Sequence, residues 1–251
     1  MEQKVGMLYI CTGEYVAFWE NFYKSFEKFF LPESYKEYFV FTDADSIYDE
    51  QNNDRIHRIY QENLGWPGNT LFRYRIFMKQ KERLRKFDWL YFMNANAICK
   101  QTIREEFMPA EGLLFVQHPG YFNKSSLRFP YEHRKKSMAY IPYGKGKIYI
   151  CGGVNGGESE KFLRLIEELS VRIDQDYKNG IIAKWHDESQ INKYMLQLKE
   201  EEYKVLSPSY CYPEDWAIPF EEIITILNKE KVINVKKIKS KRKFAFGAKK
   251  N

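Results

Sequence analysis

An apolar run, Trp89-Leu90-Tyr91-Phe92-Met93, stops at Asn94-Ala95-Asn96, two carboxamides one residue apart. A buried strand that ends on paired carboxylates is a place to hold a divalent cation against a nucleotide diphosphate, because hard ions take charged oxygen ligands. Here both acids are absent, and neutral amides can donate hydrogen bonds to phosphate or sugar oxygens without adding charge. A second group, Trp185-His186-Asp187-Glu188-Ser189-Gln190, opens a segment whose apolar face is Ile191, Tyr194, Met195 and Leu198. The spacing predicts a helix over 185–201 with Asp187 as N-cap and Gln190 in the capping-box position. Glu188 then lies in the first turn, where the helix dipole favours its ionised form by ~0.3–1 kcal/mol. Such a carboxylate either faces a developing cation or is an ordinary first-turn acid. Third, Cys151-Gly152-Gly153-Val154-Asn155-Gly156-Gly157 predicts a glycine-rich turn after a strand, open to close approach of a ligand or simply tight. No Lys-Ser/Thr pair follows it and the G-x-G-x-x-G spacing is missing, so two common phosphate loops are excluded.

Strand-like runs alternate with helix-like periodic segments, the pattern of one α/β domain built on a mainly parallel sheet. Strands are predicted at 5–12, 38–42, 89–93, 112–117, 147–151 and 203–206. Phe18, Phe22, Phe26 and Phe29 predict a helix closed by Pro32; further helices are predicted over 70–87 and 158–177, with Gly180 in the following turn. In open sheets of this kind ligands bind beyond the carboxyl ends of the strands. Thr12 to Tyr15, Asp43, Asn94 to Asn96, His118 and Cys151 to Gly153 all fall at such ends, so they are expected on one rim.

The 251 residues are 44% hydrophobic, 29% charged and 17% aromatic, the last figure high enough to suit binding of flat apolar faces on sugars or bases, or simply a ring-rich core. The net charge of +6 is concentrated at one end. Residues 228–251 hold ten Lys/Arg and one acid, so the remainder, with 30 basic and 33 acidic side chains, carries about −3. A basic end of this kind serves nucleic acid, an anionic membrane or a phosphate-bearing substrate, or is a solvated terminus. Cys11, Cys99, Cys151 and Cys211 form no C-x-x-C pair and read as reduced thiols. No signal region and no apolar stretch of ~18 residues is present, so the expectation is a cytoplasmic protein with no membrane anchor.

Val40-Phe41-Thr42-Asp43, His118-Pro119-Gly120, Tyr131-Glu132-His133-Arg134, Ala139-Tyr140-Ile141-Pro142, Gly152-Gly153 with Gly156-Gly157, Asn179-Gly180-Ile181, Trp185 to Ser189, Asn192-Lys193-Tyr194 and Lys204 to Pro208 share order and spacing with glycosyltransferase family 6. The chain resembles that family, which includes the blood-group A and B transferases and the α-1,3-galactosyltransferase, over most of its length. The resemblance implies a GT-A fold with a Rossmann-like, mostly parallel sheet over residues 1–227, and a basic tail, 228–251, that closes over the diphosphate. It implies retaining transfer of N-acetylgalactosamine or galactose from UDP-GalNAc or UDP-Gal to the 3-hydroxyl of a β-galactoside, fucosylated as in the H antigen. Asn94-Ala95-Asn96 is similar to the Asn-x-Asn of bacterial members, in which no divalent metal or other cofactor is required.

By the same resemblance, Ile10, Cys11, Thr12 and Tyr15 hold the uridine, and Arg73 lies near the donor sugar and diphosphate. Asn94, Ala95 and Asn96 occupy the metal-motif positions. Cys151, Gly152 and Gly153 border the donor sugar, as does Asp187, and the absent side chain at Gly153 leaves room for an N-acetyl group. His118 and Trp185 contact the acceptor, Glu188 is catalytic and also acceptor-facing, and Lys236 and Arg242 neutralise the diphosphate from a tail that is ordered by nucleotide. The acidic residue the family uses for the acceptor after its Ser-Pro turn falls near Pro213 or Glu214. Two other classes of function compete: a nucleic-acid-binding module using the tail, and an inactive sugar-binding protein. The near absence of rings in the tail apart from Phe244 and Phe246 opposes the first, so no nucleic-acid partner is expected. Retention of Glu188 opposes the second.

Overall fold

The computed structural model describes residues 2–235 and residue 238. In chain order the elements are β1 (Lys4–Ile10), a 3-10 turn, α1 (Trp19–Phe29), β2 (Tyr35–Thr42), β3 (Ile56–Tyr60), α2 (Gly65–Leu71), α3 (Arg73–Met78), α4 (Lys81–Leu84), β4 (Trp89–Met93), β5 (Ala97–Cys99), β6 (Leu113–Gln117), β7 (Ile150–Glu158), α5 (Ser159–Lys178), α6 (His186–Met195), β8 (Tyr203–Leu206), β9 (Tyr212–Pro213) and β10 (Ile224–Ile226). The main sheet runs β3-β2-β1-β4-β7-β6-β8, and β5-β10-β9 form a second, small sheet. Every neighbouring pair in the main sheet is parallel except those made by β7, which runs antiparallel to both β4 and β6.

Side chains alternate between the two faces of a strand, and here both faces are covered. Val5, Met7 and Tyr9 of β1, with Tyr38 and Val40 of β2 and Tyr91 and Met93 of β4, pack toward Trp19, Phe22 and Phe26 of α1. The intervening Leu8, Phe39, Phe41, Leu90 and Phe92 pack on the other face against Phe72, Phe77 and the Phe162, Leu165, Ile166 and Leu169 stripe of α5. This double burial explains why the strands read as unbroken apolar runs.

Three expectations differ from the structure, and one strand was not expected. The glycine-rich segment is not a turn: it is the body of β7, wedged between β4 and β6. A Cβ on Gly156 would lie 2.4 Å from the Leu90 carbonyl oxygen, and one on Gly157 would lie 2.1 Å from that of Gly112, so glycine serves close backbone approach within a strand. The single helix expected over 70–87 is three short ones, with breaks at Phe72 (φ −101°, ψ 15°) and Gln80 (φ −112°, ψ 14°). Leu71, Phe72, Tyr74, Ile76 and Phe77 are all buried, a demand that one straight amphipathic helix cannot meet. The helix expected to reach 201 stops at Met195, because Leu196 turns aside to pack beside Phe129, Tyr131, Ile141 and Tyr149. Strand β3 had no apolar signature: as an edge strand it buries only Ile56.

Candidate active site

The carboxyl ends of β1 and β4 and the amino end of β7 meet on one rim, because the reversed direction of β7 brings its start to where its neighbours finish. A cleft of about 370 Å³ opens there. Ile10, Thr12, Tyr15, Arg73, Asn94, Ala95, Asn96, Gly152, Gly153, Trp185, Asp187 and Glu188 all line it, although they come from five separate stretches of chain. Cys11 and Cys151 do not. They are buried on the opposite side of the sheet, in the α1 core, as side-chain alternation next to Ile10 and Gly152 requires. His118 also lies outside the cleft lining: its Nδ1 accepts from the Gly120 amide at 3.0 Å, and its ring packs 5.7 Å from that of Tyr149. Burial lowers the His118 pKa, with the charge of Glu188 acting in the opposite sense.

Glu188 is fixed by two donors. The Tyr149 hydroxyl donates to Oε1 at 2.6 Å and the Gly152 amide donates to Oε2 at 2.8 Å. Burial and the adjacent carboxylate hold the Tyr149 hydroxyl far above its usual pKa, so it remains a donor. Asn192 clips the helix that carries Glu188 to β7, exchanging hydrogen bonds with both the amide and the carbonyl of Ile150 at 3.0 and 2.9 Å. The helix begins at His186, whose φ of 52° is left-handed, a backbone state that costs ~1–3 kcal/mol outside glycine and clusters at functional sites. Trp185, not Asp187, is the N-cap, and no side chain caps the first turn. Asp187 instead turns inward, placing Oδ2 3.0 Å from Arg73 Nε.

That ion pair is not aligned as a hydrogen bond, and both Arg73 Nε and Asp187 Oδ2 lack a hydrogen-bond partner among the described residues. Burial raises the Asp187 pKa from 3.8 to about 7, outweighing the pull of Arg73, with Glu188 pushing the same way as burial. Arg73 also donates through Nη1 to the Gly152 carbonyl at 3.0 Å and stacks its guanidinium 4.3 Å from the centre of the Phe92 ring. A cation, a carboxylate near its titration point and a fixed second carboxylate therefore meet around Gly152.

The amide pair behaves differently at its two ends. Asn94 leans over Gly153 so closely that a Cβ there would lie 2.3 Å from its Nδ2. The space attributed to the missing side chain is thus filled by a carboxamide, which corrects the expectation that it stands free. Asn96 donates from Nδ2 to the Leu227 carbonyl at 2.6 Å and accepts the Leu227 amide on its own carbonyl at 2.9 Å. It holds the strap that follows β10. Glu214 accepts the Asn228 amide at 2.7 Å, Asp215 accepts the Asn228 side-chain amide at 2.7 Å, and Lys231 ion-pairs with both acids. The acids near the Ser-Pro turn are therefore committed to the strap.

Between these anchors Lys229 lines the cleft, its Nζ 6.0 Å from the centre of the Tyr15 ring. The residue as a whole is exposed, yet the ammonium end is enclosed enough that burial lowers its pKa, and Arg73 adds to that lowering. Sequence reading passed over Lys229 because it is one of ten basic residues in the terminal segment; of the two that are described, its packing sets it apart from Lys231. Lys236 and Arg242 lie outside the described residues. The donor set does not suit a hard divalent cation, since the motif positions are neutral amides. The carboxylates of the lining are Glu14, which accepts the Asn234 amide, Asp187, ion-paired with Arg73, and Glu188, bound by Tyr149 and Gly152.

A family model described as glycosyltransferase family 6 matches residues 1–240. The chain belongs to glycosyltransferase family 6. Over 227 residues this glycosyltransferase is 38% identical to the O-antigen biosynthesis glycosyltransferase WbnI of Escherichia coli, covering 90% of the chain and 95% of the relative. It is 30% identical over 216 residues to the globoside alpha-1,3-N-acetylgalactosaminyltransferase 1 of Gallus gallus, covering 84% of the chain and 62% of that protein. It is 29% identical over 217 residues to the histo-blood group ABO system transferase 2 of Rattus norvegicus, with 84% and 64% covered. The chain thus spans a little under two-thirds of these vertebrate relatives and nearly all of the bacterial one. The family 6 fold is of the GT-A type, with its sheet flanked by helices on both faces. Among the described residues no helix is long and apolar enough to cross a membrane.

Proposed function

We propose that this glycosyltransferase moves N-acetylgalactosamine, with galactose as second donor, from a UDP-sugar to the 3-hydroxyl of a β-galactoside, retaining the anomeric configuration and using no metal ion. The observation that carries the reading is the placement of Glu188, held by Tyr149 and Gly152 in a cleft that Arg73, bound to the carbonyl of the same Gly152, and Lys229 also line. Breaking a sugar to diphosphate bond puts positive charge on the anomeric carbon and negative charge on the leaving UDP. The cleft offers a fixed carboxylate to the first and two cations to the second. Whether transfer is a double displacement or a same-face reaction in which UDP accepts the acceptor proton, Glu188 acts as a carboxylate under the anomeric carbon.

Tyr15, opposite Lys229, gives the base a ring face. The unpartnered Arg73 Nε and Asp187 Oδ2 match a donor and an acceptor to sugar hydroxyls or phosphate oxygens. Preference for N-acetylgalactosamine is supported by Asn94, whose carboxamide at Gly153 faces the cleft and complements an acetamido group, and by the similarity to the globoside alpha-1,3-N-acetylgalactosaminyltransferase 1 of Gallus gallus. The acceptor is proposed as an H-antigen-like galactoside bordered by Trp185 and His118. Lys236 and Arg242 are proposed as further cations of the same end of the chain, and the place of action as the bacterial cytoplasm.

A transfer assay in chelator, offering UDP-GalNAc and UDP-Gal against a panel of galactosides, tests the proposal. Transfer of N-acetylgalactosamine without added metal is expected. Turnover that appears only with manganese, or only with galactose, would sink the corresponding part.

A further inference from the structure

The excursion between β6 and β7, residues 118–149, turns its rings inward and its cations outward. Phe129, Tyr131, Ile141 and Tyr149 form its own buried cluster. On its outer side Arg134, Lys135, Lys136 and Lys145 are exposed, and two contacts bring them together. Glu132 pairs with Tyr140 across an isolated bridge, and the His133 ring stacks 3.7 Å from that of Tyr143, which joins 133–136 to 143–145. Lys184, also exposed, joins from the loop before α6, because its amide donates to Glu132 Oε2 at 2.8 Å. Four lysines and the ion-paired Arg134 therefore surround two exposed apolar side chains, Met138 at 43% and Tyr143 at 71% accessibility, with Trp185 at the margin where this face meets the cleft.

The acids of the region offset Arg134 but none of the four lysines. Glu132 is buried and bound by Arg134, while buried Asp176 accepts from Ser137 Oγ, the Met138 amide and Gln190 Nε2. At the far edge Lys147 pairs with Glu200. Since residues 1–227 carry about −3 overall, a face with this sign is a departure from the rest of the molecule.

We propose that this face docks on an anionic phospholipid bilayer, its four lysines over the headgroups and Met138 and Tyr143 reaching into the interfacial layer. Clustered basic side chains are drawn to anionic leaflets within a Debye length, and apolar and amphipathic side chains among them add a short-range term. Docked in this way, the Trp185 side of the cleft faces the membrane, so an acceptor carried on the bilayer surface is within reach. The inference does not depend on which sugar is transferred.

The test is flotation of the full chain with vesicles of equal parts phosphatidylcholine and phosphatidylglycerol, against vesicles of phosphatidylcholine alone. Binding to the anionic vesicles, release by salt and at least tenfold weaker binding by the Lys135→Glu/Lys136→Glu/Lys145→Glu variant are expected, with transfer to a soluble acceptor unchanged as proof that the variant is folded. Met138→Ser/Tyr143→Ser should weaken binding several-fold at constant salt sensitivity. Equal binding to neutral vesicles, undiminished binding by the triple variant, or loss caused instead by Lys239→Glu/Lys241→Glu in the tail would overturn the proposal. Displacement from vesicles by an equimolar oligonucleotide would also overturn it.

Discussion

Glu188 and Asp187 are adjacent in sequence and opposite in environment. Glu188 accepts two hydrogen bonds at the cleft floor, whereas Asp187 is sealed against Arg73 and held by burial near pH 7. Glu188→Gln keeps the shape and removes the charge, so kcat should fall at least about a hundredfold, while UDP affinity measured by calorimetry stays within about threefold of wild type. A variant with wild-type turnover would remove Glu188 from the mechanism. For Asp187 the sign follows from linkage: a carboxyl whose folded pKa is raised from 3.8 to about 7 binds a proton in the native state that the unfolded chain has released. Its contribution to stability is present below about pH 4 and is lost as pH rises to about 7. Thermal melts of Asp187→Asn against wild type should show a difference that changes in the variant's favour across that window and then levels. A pH-independent difference would mean that Asp187 does not titrate there.

At the scale of elements, β7 and the strap set the geometry. Gly156→Ala would drive a methyl group against the Leu90 carbonyl and Tyr91, with an overpacking cost of ~1–3 kcal/mol, read as a lowered melting temperature. The strap is held by Asn96, and an amide is needed there because Leu227 presents a carbonyl oxygen that only a donor satisfies. Asn96→Asp sets a carboxylate against that oxygen and loosens Lys229. The expected result is UDP binding in chelator weakened roughly 5- to 100-fold, the equivalent of ~1–3 kcal/mol for a buried group left unsatisfied. Unchanged UDP affinity would show that the strap does not serve the diphosphate. Gly153→Ala should displace Asn94 and depress use of both donors together, which a change confined to one donor would contradict.

At the scale of the whole molecule, the two ends of the described chain close the cleft together. Ile233 and Val235 pack on Phe18 beside Tyr15, and the Asn234 amide reaches Glu14 at 3.1 Å. Because these contacts lie at the margin of the sheet and not in its two cores, Ile233→Ala should open the strap locally and leave the global fold intact. Cavity formation of ~2–5 kcal/mol would then appear as loss of UDP affinity of tenfold or more, with little change in melting temperature. A large fall in melting temperature with unaltered affinity would place Ile233 in the cooperative core instead.

Much of this was legible in the residues. Double-sided burial marks β1, β2, β4 and β6 as apolar runs, and the endings of those runs, Thr12, Asn94 and Asn96, name the rim before any packing is known. The shared order and spacing of segments from Val40 to Pro208, Trp185 to Ser189 and the glycine pairs among them, carry the family resemblance. What tertiary structure alone decided concerns direction and choice. Glycines at 152, 153, 156 and 157 read as a turn, and only the neighbours β4 and β6 reveal a strand squeezed between two others. That Lys229 enters the cleft depends on Asn96, Glu214 and Asp215 meeting the strap across more than a dozen residues to more than a hundred, a non-local placement that spacing along the chain does not encode. The chemistry of the side chains was fixed locally; which of them face one another was fixed by the sheet.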